Sequence, residues 1–505
     1  MNASSSQELG MSSQPASPPK DYRIAKVIQL AFVAALGGFL FGFDTAVING
    51  AVTPMREDFG MGAGLTGFVV SSALLGCMVG AYLAGRLADK WGRIRVMVVA
   101  AALFTVSAIG SGLAVGPWDM IVWRVIGGLG VGAASVIAPA YIAEVSPADI
   151  RGRMGSLQQL AIVSGIFVAL LSDYALAAGA EDGANSSLAL GLDAWRWMFI
   201  VEIVPAVAYG VLALTIPESP RYLMHLGQEK KAREVLSSVL TAGIEERIKE
   251  IRRTIVADHK SSIRDLMKPG GGVLPIVYIG IALSVFQQFV GINVIFYYSS
   301  TLWQAVGFTE DDALKQTVIT SVTNIVVTLV AIALIDKIGR RKLLMIGSSG
   351  MFLALGTMMV IFLTAPLELP ATADVPGEGT VKCVTETADC VPAPNLDMAF
   401  LGDASGPVAL IAANAFVVFF GMSWGPAVWV LLGEMFNNTI RATALGVAAA
   451  AQWLANFAIS TSFPVFADIG LGFAYGFYTV FALLSWFFVM KFVPETRGIE
   501  LEDME

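Results

Sequence analysis

Residues 85–93 read GRLADKWGR, and residues 336–342 read DKIGRRK. Both stretches contain the pattern Asp-x-x-Gly-Arg, which begins at Asp89 in the first and at Asp336 in the second. Each pattern lies between two long apolar segments, which is typical of a short polar turn between two helices. The same turn in two places indicates an internal repeat.

Glutamate and arginine also recur at a fixed spacing. Glu144 lies seven residues before Arg151. Glu434 lies seven residues before Arg441, so this pair follows the second turn as the first pair follows the first.

A third motif recurs after the other two. PESPR occupies residues 217–221, and PETRG occupies residues 494–498. Three motif pairs in the same order indicate two related halves, joined by loops of unequal length.

The composition predicts that the solvent of this chain is lipid. Apolar residues make up 56% of the 505 positions and charged residues only 14%, against about one half and one quarter in soluble domains. A spanning helix needs about 20 apolar residues. Twelve such segments predict an all-α membrane protein with spans near residues 25–50, 66–87, 94–115, 118–142, 154–176, 197–216, 273–302, 316–337, 342–364, 406–432, 442–468 and 472–493.

The distribution of basic residues predicts the orientation. With a cytoplasmic N-terminus, 27 of the 32 Lys and Arg residues fall inside, and four fall outside: Arg56, Arg196, Lys315 and Lys382. Arg124 lies within a span. Because basic loops resist translocation, this bias predicts a multi-pass cell-membrane protein with both termini cytoplasmic.

The domain organisation follows from this map. Residues 217–272 carry helical charge patterning and predict cytoplasmic linker helices, whereas the loop at 365–404 is irregular and external. The predicted units are a disordered cytoplasmic tail at 1–24, a six-helix half at 25–216, the linker at 217–272, a second six-helix half at 273–493 and a tail at 494–505.

The cysteines and the net charge further limit the possible chemistry and partners of the protein. Cys383 and Cys390 share the external loop and either form a disulfide or remain two free thiols. The net charge of -8 arises largely from external acids, so it argues against nucleic acid as a partner. No cofactor and no metal site are predicted.

Together with QQFVGIN at 287–293 and GMSWGPAVWVLLGEMF at 421–436, these motifs resemble the sugar porter family of the major facilitator superfamily over about residues 25–500. Within it the chain is most similar to bacterial glucose and xylose proton symporters. The resemblance implies a twelve-helix fold and proton-coupled import of a monosaccharide by alternating access, in a monomer whose partners are sugar, protons and the bilayer.

Asp44 lies within the first predicted span, where an ionisable group costs several kcal/mol unless it is paired, hydrated or protonated. Arg124 in the fourth span is its expected partner, and the family resemblance pairs the same positions. Movement of Arg124 relative to Asp44 would change the proton affinity of the carboxylate, the elementary step of coupling. The alternative is a static buried ion pair. Glu202, early in the sixth span, is a second acid that either senses protons or is simply solvated.

A sugar site needs amides and hydroxyls that donate and accept, together with an aromatic face. For each amide alone, hydrogen bonding between helices is an equally good explanation. By resemblance, the sugar ligands are Gln159, Gln287, Gln288, Asn293, Tyr297, Asn324, Trp429 and Gln452. Gly291 is expected to break the seventh span beside them.

Two further positions bear on the choice of sugar. Ile166, seven residues after Gln159, and Phe296, before Tyr297, are apolar, as they are in hexose carriers that this chain resembles. They favour D-glucose over xylose, while galactose and inositol remain alternatives. A uniporter of the same fold is a further alternative, although Asp44 favours symport because passive carriers resemble this pattern with Asn there.

Charged motif residues predict a cytoplasmic gate. In the Asp-x-x-Gly-Arg turns, the aspartate is expected to hold arginines from neighbouring helices, and the alternative is that these charges only fix topology and cap helices. The resemblance implies a network that is closed when the pocket faces outward and broken when it faces inward, formed by Asp89, Arg93, Glu144, Arg151, Glu218, Arg221, Asp336, Arg340, Glu434 and Arg441.

Overall fold

The computed structural model describes residues 22–147, 150–181, 183–257, 263–268, 271–305, 308–368, 373–375, 379–381, 393–394, 398–436 and 440–495. The predicted disulfide partners Cys383 and Cys390 lie outside the described residues. The side chains of Arg151, Asp336 and Arg441 are outside the description as well.

The described chain is helical, with short strands confined to loops. The helices are α1 (Ile24–Ala46), α2 (Ile48–Asp58), α3 (Ala63–Trp91), α4 (Arg93–Gly112), α5 (Pro117–Val145), α6 (Arg151–Ala178), α7 (Ala194–Ile200), α8 (Ile203–Ala213), α9 (Pro220–His225), α10 (Glu229–Val239), α11 (Ile244–Ala257), α12 (Pro275–Phe289), α13 (Ile292–Ala305), α14 (Glu310–Ile338), α15 (Arg340–Thr364), α16 (Ser405–Gly421), α17 (Trp424–Met435), α18 (Arg441–Ile469) and α19 (Leu471–Phe492). The strands β1 (Ser187–Ala189), β2 (Leu192–Asp193), β3 (Leu367–Glu368), β4 (Ala373–Val375), β5 (Gly379–Val381) and β6 (Ala393–Pro394) form three antiparallel pairs, β1–β2, β3–β6 and β4–β5.

Twelve helical segments of the described chain are long and apolar enough to cross a membrane, which confirms the predicted number. Four of the twelve, the first, sixth, seventh and tenth, each consist of two helices in line with a break between them. In the seventh, the break lies at Val290 and Gly291, where Gly291 has a φ of +84°. This left-handed backbone favours glycine, as the sequence led us to expect.

Helices α3 and α5 touch through their backbones. A Cβ atom at Gly128 of α5 would lie 1.9 Å from the carbonyl oxygen of Ala73, and one at Gly132 would lie 2.2 Å from that of Cys77. Small residues of this kind allow close helix packing inside a membrane. The contact matters for the site because α5 also carries Arg124.

The linker helices α9 to α11 form a small amphipathic unit between the halves. Leu236 of α10 packs with Ile248 and Ile251 of α11 in a buried cluster. Arg233 is paired with Glu229 at 3.2 Å on the exposed side. The linker is therefore helical, as its charge patterning predicts.

We call external the end of the bundle that the charge distribution predicts to face away from the cytoplasm. Hydrogen bonds that join the two halves cluster there. Ser71 of α3 and Thr461 of α18 lie 2.6 Å apart through their hydroxyl oxygens, and Thr53 of α2 and Thr301 of α13 lie 3.3 Å apart. The passage between the halves is therefore closed at its external end.

Candidate functional site

Asp44 and Arg124 form the predicted buried pair. Arg124 Nη1 lies 3.1 Å from Asp44 Oδ1, and the two side chains are 2% and 1% exposed. The same nitrogen donates to the main-chain carbonyl of Asp44 at 3.1 Å. Asp44 Oδ2 and Arg124 Nε have no hydrogen-bond partner among the described residues. The pair is therefore joined through one guanidinium nitrogen rather than by a bidentate contact, and Asp44 keeps a free oxygen.

Two neighbours shape this pair. A Cβ atom at Gly127 would lie 3.1 Å from Asp44 Oδ1, so the absence of a side chain there makes room for the carboxylate. The guanidinium of Arg124 lies over the ring of Phe199, 5.9 Å from its centroid. The ring face adds a cation–π contact, which does not use any of the N–H donors of the guanidinium.

Glu202 is a further buried acid of the N-terminal half. It lies between α7 and α8 and is 1% exposed. The alternative that this acid is simply solvated is therefore wrong. Glu202 lies near the start of the sixth span in the sequence. That position did not reveal how deeply its side chain is buried.

The amides predicted in the seventh span form a connected chain. Asn293 Nδ2 donates to Gln288 Oε1 across the break at Gly291. Gln288 Nε2 donates to Gln287 Oε1 at 3.4 Å. All three amides keep further donor or acceptor capacity, which suits recognition of several hydroxyl groups.

Gln287 also connects this chain to the break in the tenth span. Its Nε2 atom donates to the carbonyl oxygens of Trp424 at 2.8 Å and Gly425 at 3.3 Å. These residues begin α17, immediately after the interruption at Ser423. The side chain therefore joins two broken helices of the C-terminal half.

Asn456 is a buried amide beside the predicted ligand Tyr297, and the sequence did not single it out. It is 4% exposed in α18 and forms a side-chain hydrogen bond with the hydroxyl of Tyr297. Asn456 lies four residues after Gln452, a spacing that places both amides on one helix face. That spacing is the signal that could have identified it.

The remaining predicted ligands differ in exposure. Gln452 and Asn324 are each 8% exposed, whereas Trp429 is 43% exposed and is the most accessible of the set. Gln159 and Ile166 of α6 are partly buried.

Asn49 joins the halves above the amide chain, at the external end. Its Nδ2 atom donates to the carbonyl of Phe296 at 3.0 Å and to Ser299 Oγ at 2.8 Å. In return, Ser300 donates through its amide to Asn49 Oδ1 at 3.3 Å and through its hydroxyl to the Asn49 carbonyl at 2.6 Å. We call these four hydrogen bonds the Asn49 clamp. It binds the first span to the residues that flank Tyr297.

The cytoplasmic motif of the N-terminal half is a compact ion and hydrogen-bond cluster. Arg93 Nη2 donates to Glu144 Oε1 at 2.9 Å. The carboxylate of Glu218, from PESPR, accepts from the amides of Arg93 at 3.0 Å and Ile94 at 3.2 Å. Those amides begin α4 and have no acceptor within the helix, so Glu218 caps its N-terminus.

The C-terminal half repeats this arrangement and adds a second contact, from Arg340 Nε to Glu434 Oε2 at 3.1 Å. Arg340 Nη2 donates to Glu434 Oε1 at 2.8 Å. Glu495, from PETRG, accepts from the amides of Arg340 at 2.9 Å and Arg341 at 3.2 Å. The glycines before the two arginines have φ angles of +91° and +94°, so both turns have the same backbone. The repeat seen in the motifs is therefore a repeat of structure.

The described motif contacts lie within each half, and glutamates rather than aspartates make the principal ones. Asp89 is 73% exposed and only 3.5 Å from Arg93 of its own turn. Because Asp89 lies in α3 and Arg93 begins α4, this contact joins neighbouring helices, and the role of Asp89 in a gate stays a prediction. Arg221 is partly buried. The change of the network with the state of the transporter stays a prediction.

The fold and these sites can now be compared with known proteins. The model of the family described as "Sugar (and other) transporter" matches residues 30–505. This chain belongs to the sugar transporter family. Family membership agrees with the resemblance drawn from the motifs and explains their doubling.

Among curated members of the family, the chain is 55% identical to the glucose transport protein of Synechocystis sp. over 95% of this chain and 97% of that protein. It is 36% identical to the D-xylose-proton symporter of Escherichia coli (strain K12) over 96% of each chain. Among solved structures, the partially occluded inward open conformation of the xylose transporter XylE from E. coli matches with a TM-score of 0.75. That match has 33% sequence identity and covers 94% of this chain and 100% of XylE.

Proposed function

We propose that this sugar transporter family member is a proton-coupled monosaccharide importer whose substrate is D-glucose. The observation that carries the proposal is the buried Asp44–Arg124 pair in the N-terminal half, opposite a chain of amides in the C-terminal half. Burying a charged pair inside a membrane costs free energy. Such a pair therefore indicates a functional role.

The proposed proton site is the carboxylate of Asp44. Its Oδ1 atom is held by Arg124, while Oδ2 has no partner among the described residues. A small displacement of α5 relative to α1 would separate the guanidinium from the carboxylate, and would thereby change the proton affinity of Asp44. Glu202, which is buried in the same half, is proposed as a second acid in this exchange.

The proposed sugar site consists of the amide chain together with Tyr297, Asn456 and the ligands expected from resemblance. Amides can donate to and accept from a polyol at the same time. Support for glucose comes from the apolar Ile166 and Phe296 and from the 55% identity to a glucose transport protein. The 36% identity to a D-xylose-proton symporter favours xylose as the second candidate.

The proposed cycle is an alternation of the two halves about this site. The external end is closed through the Asn49 clamp, so release of the clamp is the step that admits sugar from outside. The cytoplasmic clusters around Glu218 and Glu495 cap the helices that begin at Arg93 and Arg340, and a network between them would form when the site faces outward. We further propose that the protein is a monomer in the cell membrane with both termini cytoplasmic.

The test combines two assays in proteoliposomes that contain the purified full-length chain. Counterflow of radiolabelled glucose identifies the preferred sugar, and uptake of radiolabelled glucose into sugar-free proteoliposomes, with and without an inward proton gradient, tests the coupling. Competing unlabelled glucose, xylose, galactose and inositol are added separately. Strongest competition by glucose, and accumulation only with the gradient, is the expected result. Uptake that is unaffected by the gradient would refute symport, and stronger competition by xylose would overturn the choice of glucose.

A further inference from the structure

Asp173 is a buried carboxylate without a role in the proton or sugar sites described above. It lies in α6, five residues before the helix ends at Ala178, and is 0% exposed. Its Oδ2 atom accepts from the amide of Gly50 at 3.3 Å. Its Oδ1 atom has no partner among the described residues. Since an acid inside a membrane bundle is costly, this position calls for an explanation.

The contact with Gly50 depends on the absence of a side chain. A Cβ atom at Gly50 would lie 2.8 Å from the Cβ atom of Asp173 and 2.8 Å from the sulfur of Met198. Three helices, α2, α6 and α7, therefore meet at this glycine. The close approach lets the carboxylate reach the main chain of α2 directly.

The residue next to Gly50 carries the closure of the external end. Asn49 is 0% exposed and makes the four hydrogen bonds of the Asn49 clamp to α13. All four need the Asn49 main chain and side chain at one position and orientation. Val47 joins α1 to α2 with helical dihedral angles, and its amide donates to the carbonyl of Phe43, so Asn49 lies on the continuation of the first span.

We propose that Asp173 is a positioning residue of the external gate, which fixes the backbone beside Asn49 and thereby stabilises the externally closed state. The contact ties α6 to the main chain of α2, one residue from Asn49. The role rests on the proposed alternating access but not on the identity of the sugar. Asp173 acts through Asn49 and touches neither proton pair nor sugar.

The test measures the distance between the external ends of the two halves in the full-length protein in lipid nanodiscs. Nitroxide labels are attached at Val115 and Phe400, which are 87% and 77% exposed, after the three native cysteines are replaced by serine. Pulsed electron spin resonance then gives the populations with short and long separations. No sugar is needed, so this result is separable from a failure of glucose transport.

Asp173→Leu, which keeps the branched shape of the side chain but replaces both oxygens with bulkier methyl groups that cannot accept a hydrogen bond, is expected to raise the ratio of long to short separations about tenfold. Asp173→Asn keeps an acceptor oxygen and is expected to stay within about twofold of the wild type. An unchanged distribution in Asp173→Leu would overturn the proposal. So would an equal shift in both variants, because the acceptor would then be irrelevant.

Two further variants test whether the shift in the distance distribution reflects only a general loss of structure around Asp173. Ser172→Ala removes a neighbouring hydroxyl that bonds within its own helix to Ala169, and is expected to change nothing. Gly50→Ala displaces the intact carboxylate of Asp173 and is expected to shift the distribution as Asp173→Leu does. If Asp173 acts through Asn49, the effects of Asp173→Leu and Asn49→Ala will be non-additive, whereas simple additivity contradicts the proposal.

Discussion

The two halves share a backbone plan but bury different chemistry. Both cytoplasmic turns have a glutamate that caps the following helix and a glycine with a positive φ, whereas the arginine–glutamate contact is bidentate only in the C-terminal half. In their interiors, the N-terminal half buries the charges of Asp44, Arg124, Asp173 and Glu202, whereas the C-terminal half buries the neutral amides of Gln287, Gln288, Asn324, Gln452 and Asn456. The halves thus share the structure of their cytoplasmic turns and differ in the chemistry of their buried residues.

This difference teaches how two ligands can be coupled without meeting. A proton needs a carboxylate whose surroundings change, and a sugar needs uncharged groups that both donate and accept. When each half supplies one kind of site, the relative movement of the halves is the only event that both ligands must share. Four predictions test this division.

The largest effect is expected at the charged site. Asp44→Asn removes the ionisable group but keeps its shape, so uphill accumulation of sugar in proteoliposomes should be lost completely while exchange across the membrane continues. The same substitution at the exposed external Asp403 is the matched control and should leave accumulation intact. Preserved accumulation in Asp44→Asn would remove the charged half from the coupling mechanism.

The second-largest effect is expected where the first membrane span of each half is interrupted. Span seven uses Gly291 at a φ of +84°, and an added Cβ atom would lie 2.8 Å from the ring of Tyr478. Gly291→Ala should therefore lower the free energy of unfolding by about 2 kcal/mol, measured as a lower melting temperature in detergent. Span one breaks at Val47 with an ordinary helical φ of −56°, so glycine is required at only one of the two breaks.

The control for this variant is Gly446→Ala. Gly446 lies in α18, and a Cβ atom there would meet nothing within 4 Å. Alanine is favoured over glycine inside a helix by up to about 1 kcal/mol, so the melting temperature should stay the same or rise. Equal losses at Gly291 and Gly446 would show that the left-handed backbone is not what matters.

A third prediction tests whether the amide half recognises sugar independently of the proton. Asn456→Ala removes the partner of the Tyr297 hydroxyl and should raise the KM for sugar about tenfold, or about 1.4 kcal/mol. The accumulation ratio at saturating sugar should not change. Asn414→Ala is the control, because that amide contacts Leu410 of its own helix and Thr320 of α14 rather than Tyr297. A loss of coupling in Asn456→Ala would contradict the separation of the two sites.

The smallest effect is expected at the capping glutamates, whose contacts are similar in the two halves. Glu218→Gln and Glu495→Gln each weaken two hydrogen bonds to a helix N-terminus, and each should cost about 1 kcal/mol of unfolding free energy. The two losses, measured by chemical denaturation in detergent, should be equal within error. Glu246→Gln on the exposed face of α11 is the control. Markedly unequal losses would show that similar contacts in the two halves do not contribute equally to the free energy of unfolding.

Much of the fold was predictable because it depends on local properties of the chain. Apolar length predicted the twelve spans, and three motif pairs predicted the repeat. A glycine among polar residues predicted the break at Gly291. The pairing of Asp44 with Arg124 was also predictable, because few ionisable residues lie inside spans and opposite charges there have few possible partners.

Other features of the site depend on contacts between residues far apart in sequence. The burial of Glu202 follows from the break between α7 and α8, and the role of Glu218 as a helix cap follows from its position beside α4. Asn456 was missed because an amide on a membrane helix has two equally good explanations until its partner is known. The hydroxyl of Tyr297 supplies that partner.

The sequence by itself thus determined that this chain crosses the membrane twelve times in two related halves, because hydropathy and motif order are properties of the linear chain. Only the tertiary structure decided that the external end is closed and that Asn49 and Asp173 meet at Gly50 to hold it. The physical reason is that these contacts join helices whose spacing is set by packing. Sequence distance carries no information about which polar atoms then come within hydrogen-bonding range.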